Sequence, residues 1–120
     1  MEAKAIKKTI RMSPRKMRLV VDLIRGQKAD TALSVLRFQT KHAAAEAEQV
    51  LKSAISNLNQ KADAEGYRVR DNEIVIKKAF VDKGLIIYRR LAGPRGTAFR
   101  IRKRTCHLTI IVGTNEEEKA

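Results

Sequence analysis

The spacing of apolar residues changes several times along the chain, and each change marks an element. Over residues 3–11, Ile6 and Ile10 share one parity and Lys7, Thr9 and Arg11 the other, with Lys8 interrupting the apolar set. That alternation predicts a strand. A helix start follows, with Ser13 as N-cap, Pro14 at the first helical position, and Met12 and Met17 spaced to staple across the cap. Leu19, Val20, Leu23 and Ile24 make one apolar stripe, and Gly26 ends the helix. Asp30 is a candidate N-cap for a short second helix that carries Ala32, Leu33 and Leu36 and runs to about Thr40. A third helix is predicted over roughly 41–62, where Ala43, Ala47, Val50, Leu51, Ala54, Ile55 and Leu58 form a continuous face. Glu46, Glu48 and Lys52 fall on its opposite side, the last two at the favourable i, i+4 spacing. A polar connection occupies 63–68, and a strand begins near Val69 and passes through Ile74 and Ile76.

The remaining pattern is a hairpin. Leu85 to Tyr88 and Phe99 to Val112 are strand-like, with alternation clearest at Cys106, Leu108, Ile110 and Val112, and Gly93-Pro94-Arg95-Gly96 between them is turn chemistry. An arm of a dozen residues at roughly 3.3 Å each reaches on the order of 40 Å, well beyond the roughly 13 Å radius of gyration of a compact chain this size. It therefore projects. The expected architecture is α+β: three helices packed on a small antiparallel three-stranded sheet with a long protruding β-hairpin. Residues 1–120 form one domain, with the arm at 82–105 and a short acidic tail at 115–120.

Charge turns this fold into a functional expectation. Lys and Arg number 26 against 13 Asp and Glu, giving a net charge of +13 and a pI of about 10.4. Such an imbalance in a small chain is the signature of a nucleic-acid partner. Aromatic residues make up only 4% and there is no Trp, so phosphate and groove contacts are expected to dominate over base stacking. The cationic residues concentrate in two places. Arg15, Lys16 and Arg18 crowd the first turns of the first helix, where the helix dipole disfavours cations unless a phosphate sits there; Ser13 and Arg25 lie on the same helix. Lys83, Arg89, Arg90, Arg95, Arg100, Arg102, Lys103 and Arg104 line the arm, with no carboxylate between Lys83 and Asn115. An isolated two-stranded ribbon is marginal in water, and one with this much like charge needs a polyanion to hold it. Arginine outnumbers lysine there, as suits bidentate phosphate contact. Thr105 and His107 on the returning strand join the candidate nucleic-acid contacts, and His107 reads equally well as a surface residue.

Other chemistry is not expected. Cys106 is the single cysteine and reads as a small core residue; no Cys/His spacing resembles a zinc site, and no cofactor is implied. His42 reads as structural or exposed. The charged N-terminal stretch has no apolar leader core, and no apolar run approaches membrane-spanning length, so a soluble cytoplasmic protein without a membrane partner is expected. No homo-oligomer is expected. A nuclease using His107 would want a nearby carboxylate or metal cluster, which the arm lacks.

Sixteen consecutive residues, Arg11-Met12-Ser13-Pro14-Arg15-Lys16-Met17-Arg18-Leu19-Val20-Val21-Asp22-Leu23-Ile24-Arg25-Gly26, resemble the first-helix signature of bacterial large-subunit ribosomal protein twenty-two. Lys52-Ser53-Ala54 with Asn57 is similar to that family's third helix, and Lys103-Arg104-Thr105-Cys106-His107-Leu108-Thr109 to the returning arm of its hairpin. The resemblance covers essentially the whole chain. It implies a globular domain on the outer face of the large subunit, bound to large-subunit ribosomal RNA beside neighbouring ribosomal proteins. It also implies a hairpin that bridges RNA domains and whose tip, here Leu91, Ala92, Gly93, Pro94, Arg95 and Gly96, lines the nascent-peptide tunnel. Family members commonly carry Pro-Arg-Ala-x-Gly-Arg at the tip, whereas this chain has Ala92-Gly93-Pro94-Arg95-Gly96-Thr97. A basic β-ribbon that binds DNA architecturally is the alternative that charge and arm also fit.

Overall fold

The computed structural model describes residues 1–66 and 68–114; the acidic tail expected at 115–120 lies outside them. Strand β1 (Glu2–Ile10) leads to helices α1 (Pro14–Ile24), α2 (Ala29–Phe38) and α3 (His42–Ala64), then to the long strands β2 (Ile74–Ala92) and β3 (Ala98–Thr114). The sheet is antiparallel in the order β1-β3-β2, so the last strand is the central one. This is the expected α+β arrangement.

Alternation along β3 turns Cys106, Leu108, Ile110 and Val112 inward, and all four are fully buried. They join one core with Met17, Val20, Val21 and Ile24 of α1, Leu36 of α2, and Leu51, Ala54 and Leu58 of α3. The buried alanines of α3, including Ala43, Ala44 and Ala47, leave room for that helix to lie close to its neighbours. Helix α1 begins as its sequence requires: the Ser13 hydroxyl accepts the Lys16 N–H, Pro14 occupies the first turn, and Gly26 takes φ +80° just beyond the end.

Four expectations change in the folded protein. The buried stripe of α1 is Met17, Val20, Val21 and Ile24, at i, i+3, i+4, i+7, while Leu19 and Leu23 are exposed. Roll is set by tertiary contacts: the guanidinium of Arg18 donates to the Val81 carbonyl, and that of Arg25, seven residues on, to the Ala79 carbonyl. Ile6 also faces out, and Ala5 takes the inward place. The register between β1 and β3 shifts between Lys7 and Ile10, where Thr9 has φ +57°, so the bulge restores Ile10 to the core out of phase with the apparent pattern. Asp30 sits inside the first turn of α2, whose N-cap is Lys28; a bridge between Lys28 and Val75 of β2 pins that start earlier in the chain. Finally, β2 starts at Ile74 and not near Val69, because Asp71–Glu73 form a 3-10 turn closed by the Glu73 N–H on the Arg70 carbonyl. A smaller correction concerns Glu46, which pairs with Lys7 of β1 instead of facing solvent, whereas Glu48 and Lys52 pair as spaced, at 3.1 Å.

Candidate nucleic-acid interface

The hairpin leaves the domain as a paired ribbon. From Ile86 opposite Arg104 to Ala92 opposite Ala98 the ladder is unbroken, and no residue from Asp82 to Arg104 is buried. The molecule measures 68 × 26 × 19 Å, with a radius of gyration of 17.9 Å, against about 13–14 Å for a compact chain of this length.

Directly opposed residues of antiparallel strands share a face, so register sorts the arm's side chains. One face carries the pairs Ile86/Arg104, Tyr88/Arg102 and Arg90/Arg100: four arginines with one aromatic ring among them. The Arg100 guanidinium lies 5.5 Å from the centre of the Tyr88 ring, a cation–π spacing. The other face carries Ile87/Lys103, Arg89/Ile101 and Leu91/Phe99, more apolar with two cations. Arg90 directly opposite Arg100 is a repulsive pair in isolation. Among the described residues no carboxylate pairs with any arm cation.

At the tip, Pro94–Gly96 form a 3-10 turn, with the Gly93 N–H donating to the Thr97 carbonyl at 2.6 Å and the Thr97 hydroxyl to the Pro94 carbonyl at 2.8 Å. Arg95 itself adopts the left-handed region, at φ +58°, which costs a non-glycine residue roughly 1–2 kcal/mol. A side chain at Gly93 would run into the Phe99 ring, since an ideal Cβ lies 2.6 Å from it.

At the other end, the arm base meets the N-terminus of α1. A cleft of about 450 Å³ is lined by Arg11, Ser13, Arg89, Arg102, Lys103 and Arg104. Beside it, a second of about 360 Å³ is lined by Ser13, Pro14, Arg15, Arg18, Lys83 and Arg104. Ser13 and Arg104 line both. The first turn of α1 contains no acidic residue, so the positive end of the helix dipole and the surrounding cations present one uncompensated positive field. Two groups far apart in sequence are thereby assembled into one concave, cationic surface.

The fold sorts the expected contacts. Ser13, Arg15, Lys83, Arg89, Arg102, Lys103 and Arg104 come together at the clefts, while Arg90, Arg95 and Arg100 lie further out along the arm. Arg18 reaches the second cleft with one guanidinium nitrogen already committed to Val81. Lys16 lines neither cleft but an adjoining surface with Arg11, Ser13, Leu19, Lys41 and His42. Arg25 is at the far end of α1, bound to the Asp22 carboxylate at 2.7 Å and to Ala79. Thr105 is buried, its hydroxyl donating to the Leu85 carbonyl. His107 accepts the Thr9 N–H on Nδ1 at 2.9 Å, so it supports the β1 bulge and offers only Nε2 outward. Arg11 is the residue that sequence reasoning left out. Its signal was its place, immediately before the N-cap of a helix with a cationic first turn.

The arm base depends on a glycine. The register slips between Lys83 and Ile86, and a Cβ on Gly84 would lie 2.5 Å from the Thr105 hydroxyl and 3.2 Å from the Thr105 backbone. Gly84→Ala is therefore expected to cost about 1–3 kcal/mol and to loosen the arm root. A lower thermal midpoint together with faster proteolysis between residues 85 and 104 checks it; an unchanged midpoint contradicts it.

Among the described residues no three His, Cys, Asp or Glu side chains gather as metal ligands. Burial pushes the Cys106 thiol up from its ordinary value, keeping it a neutral core group. No helix among the described residues is long and apolar enough to cross a membrane.

Known proteins resemble this chain along nearly its whole length. The chain is 44% identical over 119 residues to large ribosomal subunit protein uL22 of Bifidobacterium animalis subsp. lactis, covering 99% of this chain and all of that one. It is 46% identical over 116 residues to the Bifidobacterium longum protein of the same name, covering 97% and 98%. With that of Chlorobium phaeobacteroides it shares 49% over 114 residues, covering 95% and 96%. The family described as ribosomal protein L22p/L17e matches residues 5–113, which takes in the sheet, the three helices and the whole arm, and the chain belongs to that family.

Proposed function

We propose that this protein binds large-subunit ribosomal RNA through the clefts at its arm base, bridges separate RNA segments with the arm during assembly, and presents the tip at the wall of the nascent-peptide tunnel. Family membership makes it a structural constituent of the large ribosomal subunit, in the cytoplasmic ribosome, and not an enzyme. The observation that carries the finer reading is the cationic arm face, with four arginines and no counter-charge, running straight into the cationic clefts at α1.

Binding has two stages. Phosphates dock first at the clefts, where the positive end of α1 and the charges of Arg11, Arg15 and Arg104 meet; release of counterions makes this step steeply salt-dependent. The arm then orders between RNA helices. Each arginine exchanges repulsion for charge-assisted hydrogen bonds to phosphates, and Tyr88 with its stacked Arg100 offers a flat surface to a base. The paired ribbon holds the tip, Leu91 to Gly96, out from the core of a molecule 68 Å long, in reach of a nascent chain and of neighbouring ribosomal proteins along the way.

Hydroxyl-radical footprinting of large-subunit ribosomal RNA tests this, with the whole protein and with a variant lacking residues 86–98. The whole protein is expected to protect several distant RNA segments. The shortened one keeps only the protections made by the globular domain, with an unchanged melting temperature, because no residue removed is buried. Loss of every protection on shortening would place the main affinity in the arm and refute docking at the clefts. Equal protection of unrelated duplex DNA would favour the architectural DNA-binding reading.

A further inference from the structure

The face of the sheet turned away from the helices is not blank. Register places Ile6, Thr109 and Phe80 in one row across all three strands, with Ile6 47% and Phe80 41% exposed. The adjoining row is Lys4, Ile111 and Lys78. On the other side of Phe80 the row is Asp82 and His107. The core residues beside these rows, Ala5, Ala79, Val81, Leu108, Ile110 and Val112, have the opposite parity, and the register shifts between Lys7 and Ile10 and between Ile76 and Lys78 bring Ile10, Ile74 and Ile76 to that same inner side, so the helices cover the other face and leave this one open.

From this placement we infer that the outer sheet face is a stacking site for one unpaired RNA base, seated on Phe80 and Ile6, with the flanking phosphates held by Lys4 and Lys78. The inference rests on the RNA-binding reading above. An exposed aromatic ring on a sheet is the platform on which single-stranded bases stack. Its flanking row stands about 7 Å along the strands, two residues at roughly 3.4 Å, near the spacing from a base to its phosphate. Neither lysine has a carboxylate partner among the described residues, whereas nearby Lys77 is paired with Glu2. Asp82 on the opposite side repels phosphate, which directs the backbone toward the lysine row. An apolar protein partner would have to bury Lys4 and Lys78 without neutralising them, so charge complementarity favours the polyanion. The scarcity of aromatics argued against stacking as the main binding mode, and it remains a single subsite beside the phosphate clefts.

The test measures binding of the full chain to in vitro transcribed large-subunit ribosomal RNA across a salt series. Phe80→Leu keeps an apolar group and removes the ring, and is expected to weaken binding about five- to hundredfold with the salt slope unchanged. Phe80→Tyr keeps the ring and is expected to bind within about twofold of the natural protein. Lys4→Ala with Lys78→Ala, both at exposed positions, is expected to lower the salt slope by about one to two. Phe80→Leu binding as tightly as the natural protein overturns the stacking site, as does an unchanged slope for the lysine pair, and both leave RNA binding itself intact. Phe80→Leu that binds RNA normally but fails to take up another ribosomal protein assigns the face to a protein neighbour, which also overturns it. Failure of the natural protein to prefer this RNA over duplex DNA removes the RNA-binding reading, and the stacking site falls with it.

Discussion

Exchanging Arg11, Arg15 and Arg104 together for glutamate is expected to lower affinity for structured large-subunit RNA on the order of a hundredfold or more near 0.1 M salt. The plot of log affinity against log salt is expected to flatten by about two to three, because each phosphate that the protein no longer neutralises takes away about 0.7 to 0.9 of slope. These three line the clefts at the arm base, Arg104 lining both, and make no side-chain hydrogen bond or ion pair among the described residues. Their replacement therefore leaves the fold intact. Arg18 is a poorer choice despite lying beside them, since its guanidinium holds the Val81 carbonyl and its removal would also disturb how α1 sits on β2. An affinity that falls without a change of slope would mean that the variant's structure, and not its grip on phosphate, is what changed. Unchanged affinity would remove the clefts from the interface.

Leu108→Ala is expected to destabilise the folded state by about 2–5 kcal/mol. Leu108 is fully buried on the central strand, where both neighbouring strands and the helices enclose it and little can collapse into the space. A chain of this length has a total stability of roughly 6–18 kcal/mol, so that single substitution removes a large share. Urea unfolding should show a lower midpoint at an unchanged slope. Leu91→Ala is the internal contrast: it lies 57% exposed on the arm and should change stability by no more than about 0.5 kcal/mol. A destabilisation at Leu91 equal to that at Leu108 would mean the arm folds back on the domain.

Local chemistry wrote much of this protein legibly in its sequence. Ser13-Pro14 starts α1 and Gly26 stops it, because a capping hydroxyl, a ring that needs no N–H and a residue free at positive φ act within a few residues. The alternation from Cys106 to Val112 marked the buried strand, and the run of cations without carboxylates marked an arm that lies outside the core. The errors share a different cause. The roll of α1 depends on carbonyls of β2 that lie more than fifty residues away, so Leu19 and Leu23 looked buried and are not. The parity of β1 depends on a bulge held by the ring of His107, so Ile6 looked buried and faces outward. The second helix starts where Lys28 meets Val75, and no residue near Asp30 announces that bridge.

The same division runs through the candidate interface. Its charge and its arm follow from composition and order, which are properties of the chain whatever its shape. Which cations stand together is decided by folding alone: antiparallel register puts Arg90, Arg100, Arg102 and Arg104 on one face, and docking of α1 beside the arm root adds Arg11 and Arg15 to them. Register and docking are set by long-range pairing and by the shared core. Sequence separation hides both, so the charge of the surface was readable in the residues and its shape only in the folded protein.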